Sequence, residues 1–338
     1  MKFRSILCPV DFSAQSRAAL RCAVSLGRRF GGRVVVLFVN DPVLVAAANA
    51  AYSGRRRFVD RTEAELARFV KQATAAAVPR KDIGLLVSAG TPADEILRCV
   101  KRSRSDLVVM GSHGLSRLQR AFFGSTTEQV LRNAHVPVLA IPPSAGSRGH
   151  AGFDQVTRVI APIDLAGEWH SDAVRAAQIA LALEAHLVLV HVLVPVQSPP
   201  WLRRGHANER RRIEKAAAAL ERAAIRLLPE RPQLSTNVVV GDPAHEIARL
   251  TRRRGSLVVM SLRGTAGVWG LRRGAVAYHV LTHASTPVLA LPRRRIGGRF
   301  AVRARKALGE ILTARDRVEI AGIDAMLSIG GGRRALKR

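Results

Sequence analysis

The sequence predicts an α/β protein of two tandem, doubly wound domains, each built on a parallel sheet. Three observations carry this. Short apolar runs alternate with helix-like patterns through residues 3–142, which is the signature of strands joined by helical crossovers. The apolar runs are continuous rather than alternating, as in RVVVLFV (33–39), so both faces of each strand are to be covered. The same series of blocks then recurs in the same order over 157–292. In such sheets a ligand lies beyond the carboxyl ends of the strands, where strand order reverses.

The elements follow in order. RSILCPV (4–10) reads as a buried strand with Asp11 at its carboxyl end. Ser13 is placed to cap a helix over 14–30, whose packed stripe is Leu20, Ala23, Val24 and Gly27, and Gly31-Gly32 ends it. RVVVLFV is the second strand. Residues 41–56 carry little pattern and read as a loop or flap, followed by a helix over 57–78 with Leu66, Phe69, Val70 and Ala73 inward. IGLLVSAG (83–90) is the third strand. Thr91-Pro92 opens the next helix, with Thr as cap, Pro in the first position and Asp94 three after the cap; Ile96, Leu97 and Val100 face the core. DLVVM (106–110) is the fourth strand, a glycine-rich loop follows, and a helix over 125–133 leads to PVLAIP (137–142), the fifth strand.

Residues 143–156, rich in Gly, Ser and Pro, read as a linker. Beyond it TRVIAPIDLAG (157–167) restates the first strand and sets Asp164 opposite Asp11. HLVLVHVLV (186–194) restates the second strand, and a long basic helix covers 204–228. VVVGDPAHEI (238–247) matches VSAGTPADEI (87–96), GSLVVMSLRG (255–264) matches SDLVVMGSHG (105–114), and TPVLALP (286–292) matches VPVLAIP (136–142). The implied organisation is domain one over 1–142, a linker over 143–156, domain two over 157–292, and a basic tail over 293–338 with 13 Lys or Arg against 4 Asp or Glu.

The chain carries a formal charge of +29 over 338 residues. That points either to a solvated arginine-rich surface or to contact with a polyanion or acidic partner, the tail included. Aromatic residues are only 4 %, and no helix-turn-helix or RNA-binding signature appears, which argues against sequence-specific nucleic-acid recognition. Cys8, Cys22 and Cys99 are too scattered for a zinc site or redox pair and sit in apolar patterns as buried thiols. They imply a reducing, cytoplasmic setting. No signal peptide is evident at MKFRSILCPVDF, and no apolar run is long enough to span a membrane.

The stretch GSHGLSRLQRAFFGST (111–126) is the candidate site. A strand, a glycine-rich loop and a helix amino terminus together hold anions, through free backbone N–H groups and the helix dipole. Glycine there permits positive φ or close approach of a ligand. Its spacing is Gly111, two residues, Gly114, nine residues, Gly124, Ser125. With the aspartate of CPVDFS, the closing strand PVLAIP and the duplication, the chain resembles the universal stress protein family in its tandem form, over 3–142 and 157–292. The resemblance implies a Rossmann-like sheet of five parallel strands in the order 3-2-1-4-5 in each domain, and ATP in the crevice of the first. It implies that Asp11 accepts hydrogen bonds from the adenine or ribose end, and that Pro9 and Val39 border the base. Met110, Gly111 and Gly114 pass under the sugar and phosphates, and Gly124, Ser125 and Thr126 cap the phosphate tail. His113 belongs to the same loop, as a phosphate contact or loop residue rather than a base, since no nucleophile accompanies it. Magnesium is compatible, but the sequence shows no protein ligands for it.

The second repeat departs from the pattern. Ser261 replaces the first glycine and Ala275 the serine, while Gly264 and Gly274 remain; Arg263, Arg272 and Arg273 add charge. A degenerate, structural second half is expected, pairing with the first through PVLAIP and PVLALP as family members pair through their last strands; a homodimer is a further option. The lack of a Walker lysine argues against fast phosphoryl transfer. The expectation is an ATP-binding stress-response or regulatory module with slow or no hydrolysis. The alternatives are a nucleotide-handling enzyme, for which no catalytic base is apparent, and a basic interaction protein.

Overall fold

The structure, a computed structural model, describes residues 3–51, 55–74, 82–112, 124–143, 153–165, 169–195, 205–227, 233–262 and 276–292. In the first half, β1 (Ser5–Val10), α1 (Ala14–Phe30), β2 (Arg33–Asn40), α2 (Pro42–Ala51) and α3 (Arg55–Thr74) lead to β3 (Ile83–Ala89). Then come α4 (Pro92–Arg102), β4 (Leu107–Gly111), α5 (Ser125–Asn133) and β5 (Val138–Ile141). The second half comprises β6 (Arg158–Pro162), α6 (His170–Leu183), β7 (His186–Leu193), α7 (Gly205–Leu227), β8 (Leu234–Val240), α8 (Pro243–Leu250), β9 (Ser256–Ser261), α9 (Val276–His283) and β10 (Val288–Leu291).

The ten strands among the described residues form one sheet in the order β3-β2-β1-β4-β5-β10-β9-β6-β7-β8. Within each half the strands are parallel and ordered 3-2-1-4-5, as expected. The two halves join through β5 and β10, which run antiparallel with Leu139 opposite Leu289. Both strands are four residues long and wholly buried. An exposed edge of that composition would invite pairing with another chain; here each covers the other. Because the joint is antiparallel, the carboxyl ends of the two half-sheets point to opposite ends of the molecule.

Helices cover both faces. On one, α1, α3, α6 and α7 bury Leu20, Leu26, Leu66, Phe69, Ala180 and Leu220. On the other, α4, α5, α8 and α9 bury Ile96, Val130, Ile247 and Leu281. Helix α1 begins as its sequence dictates: the Ser16 N–H donates to Ser13 Oγ at 3.1 Å, and Gly31 closes the helix at φ +64°. Gly90 and Gly241 take φ of +154° and +156° in corresponding turns, where a Cβ would fall 2.7 Å from Glu95 Oε1 and from Glu246 Cγ respectively. All three cysteines are buried. Burial pushes the thiol of Cys22 up to about 12 and raises those of Cys8 and Cys99, Cys8 further through its neighbour Cys22.

Several expectations need correction. Residues 42–51 form a helix, not a loop. Asp41 caps it, its Oδ1 accepting from the Val43 N–H at 2.7 Å, and Pro42 followed by an alanine-rich run has high helix propensity. Thr91 stands at the amino cap of α4, but its hydroxyl makes no capping bond; the counterpart Asp242 does cap α8, accepting from the His245 N–H at 2.8 Å. The end of the linker is built into the fold: Phe153–Gln155 makes a 3-10 turn, Phe153 is buried, and its N–H donates to Ser25 Oγ at 3.0 Å. Among the described residues no helix is long and apolar enough to cross a membrane, and no cluster of three or more His, Cys, Asp or Glu is set to hold a metal. The tail lies outside the described residues.

Candidate functional site

The reversal of strand order in the first half lies between β1 and β4, which are neighbours paired at Ile6–Leu107 and Leu7–Val108. Continuing that register sets Pro9 beside Met110 and Val10 beside Gly111. On the other flank Val10 pairs with Phe38, so Val39 comes level with Asp11. The expected residues that are described therefore gather at one edge. Pro9 and Met110 are buried, while Asp11, Val39 and Gly111 are partly exposed. Met110 and Val39 pack with Leu37 in the core on the α4–α5 face, giving that side of the edge an apolar wall.

The chain turns sharply after β1. Phe12 has φ +61°, a conformation that costs a residue with a Cβ about 1–2 kcal/mol. Its ring offsets this by packing on Phe38 at 4.4 Å and Phe69 at 5.4 Å between centroids. The turn is bound internally: the Ser13 N–H donates to Asp11 Oδ1 at 3.1 Å and the Asp11 N–H to Ser16 Oγ at 3.3 Å. One oxygen of the Asp11 carboxylate is thus engaged by the backbone at a strand's end.

Across the edge stands the amino end of α5. Gly124 occupies the cap at φ −60°, its N–H donating to the Ser112 carbonyl at 3.1 Å. The first bond of the helix runs from the Glu128 N–H to the Gly124 carbonyl at 2.9 Å, so Ser125, Thr126 and Thr127 have no intrahelical acceptor for their N–H groups. Ser125 is exposed, Thr126 partly so, and Thr127 is buried. Thr127 Oγ1 donates to the Gly111 carbonyl at 2.9 Å, and the Ser112 N–H donates to the Ile141 carbonyl at 2.9 Å. The Thr127–Gly111 and Gly124–Ser112 bonds clamp the start of α5 to the end of β4, and the Ser112–Ile141 bond ties that end to β5. Neither Gly111 nor Gly124 takes a positive φ. The left-handed conformation that glycine allows is therefore not what these two positions use. His113 and Gly114 lie outside the described residues, as do Arg263, Gly264, Arg272, Arg273, Gly274 and Ala275 in the second half.

The corresponding edge of the second half is built differently. Ser261, in place of Gly111, donates from Oγ to Asp172 Oδ1 at 2.5 Å. Asp172 lies in the first turn of α6; counting back from the left-handed cap residues Glu184 and Gly31, its counterpart in α1 is Ala19. Two small residues in the first half are thus replaced by a bonded polar pair. His191 stands where the first half has Phe38, its Nδ1 2.9 Å from the Ile163 carbonyl. Asp164 is exposed, in contrast to Asp11.

Thr127 and Phe12 were not singled out from the sequence. The run of hydroxyls in GSTT was the available signal for Thr127, whereas a phenylalanine after a strand gives no sign of a positive φ.

Comparison with known proteins gives a consistent picture. The sequence profile of the universal stress protein family matches residues 2–142 and 155–292. A universal stress protein of Mycolicibacterium smegmatis is 25 % identical over 296 residues, covering 86 % of this chain and 97 % of that protein. One from Thermus aquaticus is 33 % identical over 143 residues, covering 41 % of this chain and 98 % of that protein. Among solved structures, a universal stress protein from Archaeoglobus fulgidus superposes with a TM-score of 0.58 at 20 % identity, covering 86 % of this chain and 98 % of that one.

Proposed function

We propose that this chain, which belongs to the universal stress protein family, binds one adenine nucleotide, ATP, at the carboxyl edge of its first half, and that it acts as a stress-response regulatory module with slow or no hydrolysis. The observation that carries the reading is the clamped pair of elements around Gly111. The first-turn N–H groups of α5 have no intrahelical acceptor, and the Thr127–Gly111 bond fixes them against the strand end. They favour the phosphates electrostatically. Pro9, Val39 and Met110 supply apolar surface for the base, and Asp11 supplies an acceptor. Gly111, Gly124, Ser125 and Thr126 line the path between, with His113 and Gly114 assigned to it from the sequence. The second half is read as structural, because Ser261 stands in place of the first glycine and is bonded to Asp172, and Ala275 stands in place of the serine.

The test is to purify the chain, denature it and identify what is released. One adenine nucleotide per chain is expected, and a folded Gly114→Val variant is expected to release none. Two nucleotides per chain would overturn the structural reading of the second half. Undiminished ATP binding by the folded variant would overturn the assignment of the loop.

A further inference from the structure

We propose that Gln15 selects the sugar of the bound nucleotide, its side-chain amide hydrogen-bonding a ribose hydroxyl. This rests on the nucleotide site proposed above and adds a residue to it. Gln15 lies in the first turn of α1, beside the Asp11 turn. Its Oε1 is a buried acceptor with no hydrogen-bond partner among the described residues. Buried polar atoms are normally paired, and an orphan at the edge of a ligand crevice is explained by a donor on the ligand. The neighbouring polar groups are already committed to each other: the Ser13 N–H to Asp11, the Ser16 N–H to Ser13, the Asp11 N–H to Ser16 Oγ. Gln15 stands outside that network, so local capping does not account for it.

The internal repeat shows where Gln15 sits. In the second half, Asp172 reaches Ser261 at the end of β9. The equivalent pair in the first half is Ala19 and Gly111, so the repeat sets Ala19, which is fully buried, opposite the end of β4, with two small residues in place of the bonded pair. Gln15 lies four residues before Ala19, one helical turn nearer the open end and on the same face of α1. The repeat therefore sets it one turn beyond the end of β4, on the α1 side of the sheet. Val39 and Met110 form the base wall on the opposite, α4–α5 side, and the α5 amino end takes the phosphates. The part of a nucleotide left for Gln15 is the ribose between them.

The chemistry agrees. A carbonyl oxygen needs a donor; the phosphates and ring nitrogens of ATP offer none at neutral pH, which leaves the 6-amino group of adenine and the 2′ and 3′ hydroxyls, and with the base on the opposite wall the hydroxyls are the ones in place. Each hydroxyl also accepts, so exchanging the amide oxygen and nitrogen of Gln15 leaves the recognition intact.

The test titrates the full chain with ATP, 2′-deoxy-ATP and 3′-deoxy-ATP by calorimetry. The unmodified chain is expected to bind at least one deoxy analogue about fivefold more weakly than ATP. Gln15→Leu and Gln15→Ala are expected to bind ATP about fivefold more weakly and to lose that preference. Gln15→Glu, which keeps an acceptor, is expected to retain it. Circular dichroism melts establish that each variant is folded. Equal affinity of the unmodified chain for all three nucleotides, or an unchanged preference in Gln15→Leu or Gln15→Ala, overturns the role of Gln15 and leaves the nucleotide site standing. Absence of ATP binding overturns the site itself, and this inference with it.

Discussion

The bond from Thr127 to Gly111 joins the two walls of the proposed site, and removing it has a calculable consequence. Thr127 is 4 % exposed and its hydroxyl lies 2.9 Å from the Gly111 carbonyl. Thr127→Val preserves the branched shape, so no cavity opens. What is lost is one hydrogen bond, together with that partner of a strand-end carbonyl. Together these cost about 1–3 kcal/mol. The α5 amino end is then less firmly placed against β4. If about 1.4 kcal/mol of the loss appears in binding, ATP affinity falls about tenfold. Urea denaturation without nucleotide reads the stability, and calorimetric titration with ATP reads the affinity. Thr127→Ser retains the hydroxyl and is expected to lie closer to the parent in both. The reasoning is refuted if Thr127→Val matches the parent in stability and affinity, or if Thr127→Ser is as damaging as Thr127→Val, because the methyl group and not the bond would then be what counts.

Three further outcomes are expected. Leu139 is fully buried opposite Leu289 and borders a small apolar void lined also by Phe3, Phe30, Phe153 and Leu183. Leu139→Ala should therefore cost about 3–4 kcal/mol in a single urea transition for both halves; a second transition, or a loss below about 1 kcal/mol, would show that the joint is not integral to the core. Asp242→Ala should destabilise by about 1 kcal/mol through loss of the cap on α8, while Thr91→Ala at the corresponding place should be near neutral, since Thr91 makes no capping bond; thermal melts compare the two. Stability should fall as pH rises above about 9, the ordinary thiol value, because unfolded thiols then ionise while Cys22 stays neutral in the fold until about 12. Cys8 has the same sign, the slope approaches about 1.4 kcal/mol per pH unit per thiol, and Cys22→Ala should show a shallower decline in urea midpoints between pH 8 and about 10.5 than the parent.

Most of the fold was legible in the sequence because the relevant forces are local or periodic. Continuous apolar runs such as RVVVLFV give strands covered on both sides, and Ser13 with Gly31 marks the ends of α1. The miss at α2 was also local. Asp41-Pro42 before an alanine-rich run is a helix start, but with Val43 73 % exposed and Leu44 62 % exposed the helix presents no clear apolar face, so the run carries no helical periodicity. The loop residues of the site were likewise legible as glycines and hydroxyls at fixed spacing.

By itself the sequence determined that there are two copies of one α/β unit and that only the first retains the full glycine pattern, since a repeat and its substitutions are properties of the chain alone. The tertiary structure decided how the copies meet and what the substitutions do. The antiparallel pairing of β5 with β10 places the two strand-end edges at opposite ends of one sheet. The bond between Ser261 and Asp172 joins residues far apart in sequence, and it gives the residue that replaces the glycine a partner on α6. At the corresponding places the first half has Ala19 and Gly111, which have no side-chain polar groups to bond, and one turn before Ala19 the oxygen of Gln15 is unpaired among the described residues. A side chain's partners depend on which helix lies over which strand end, and sequence spacing carries no information about the distances between them.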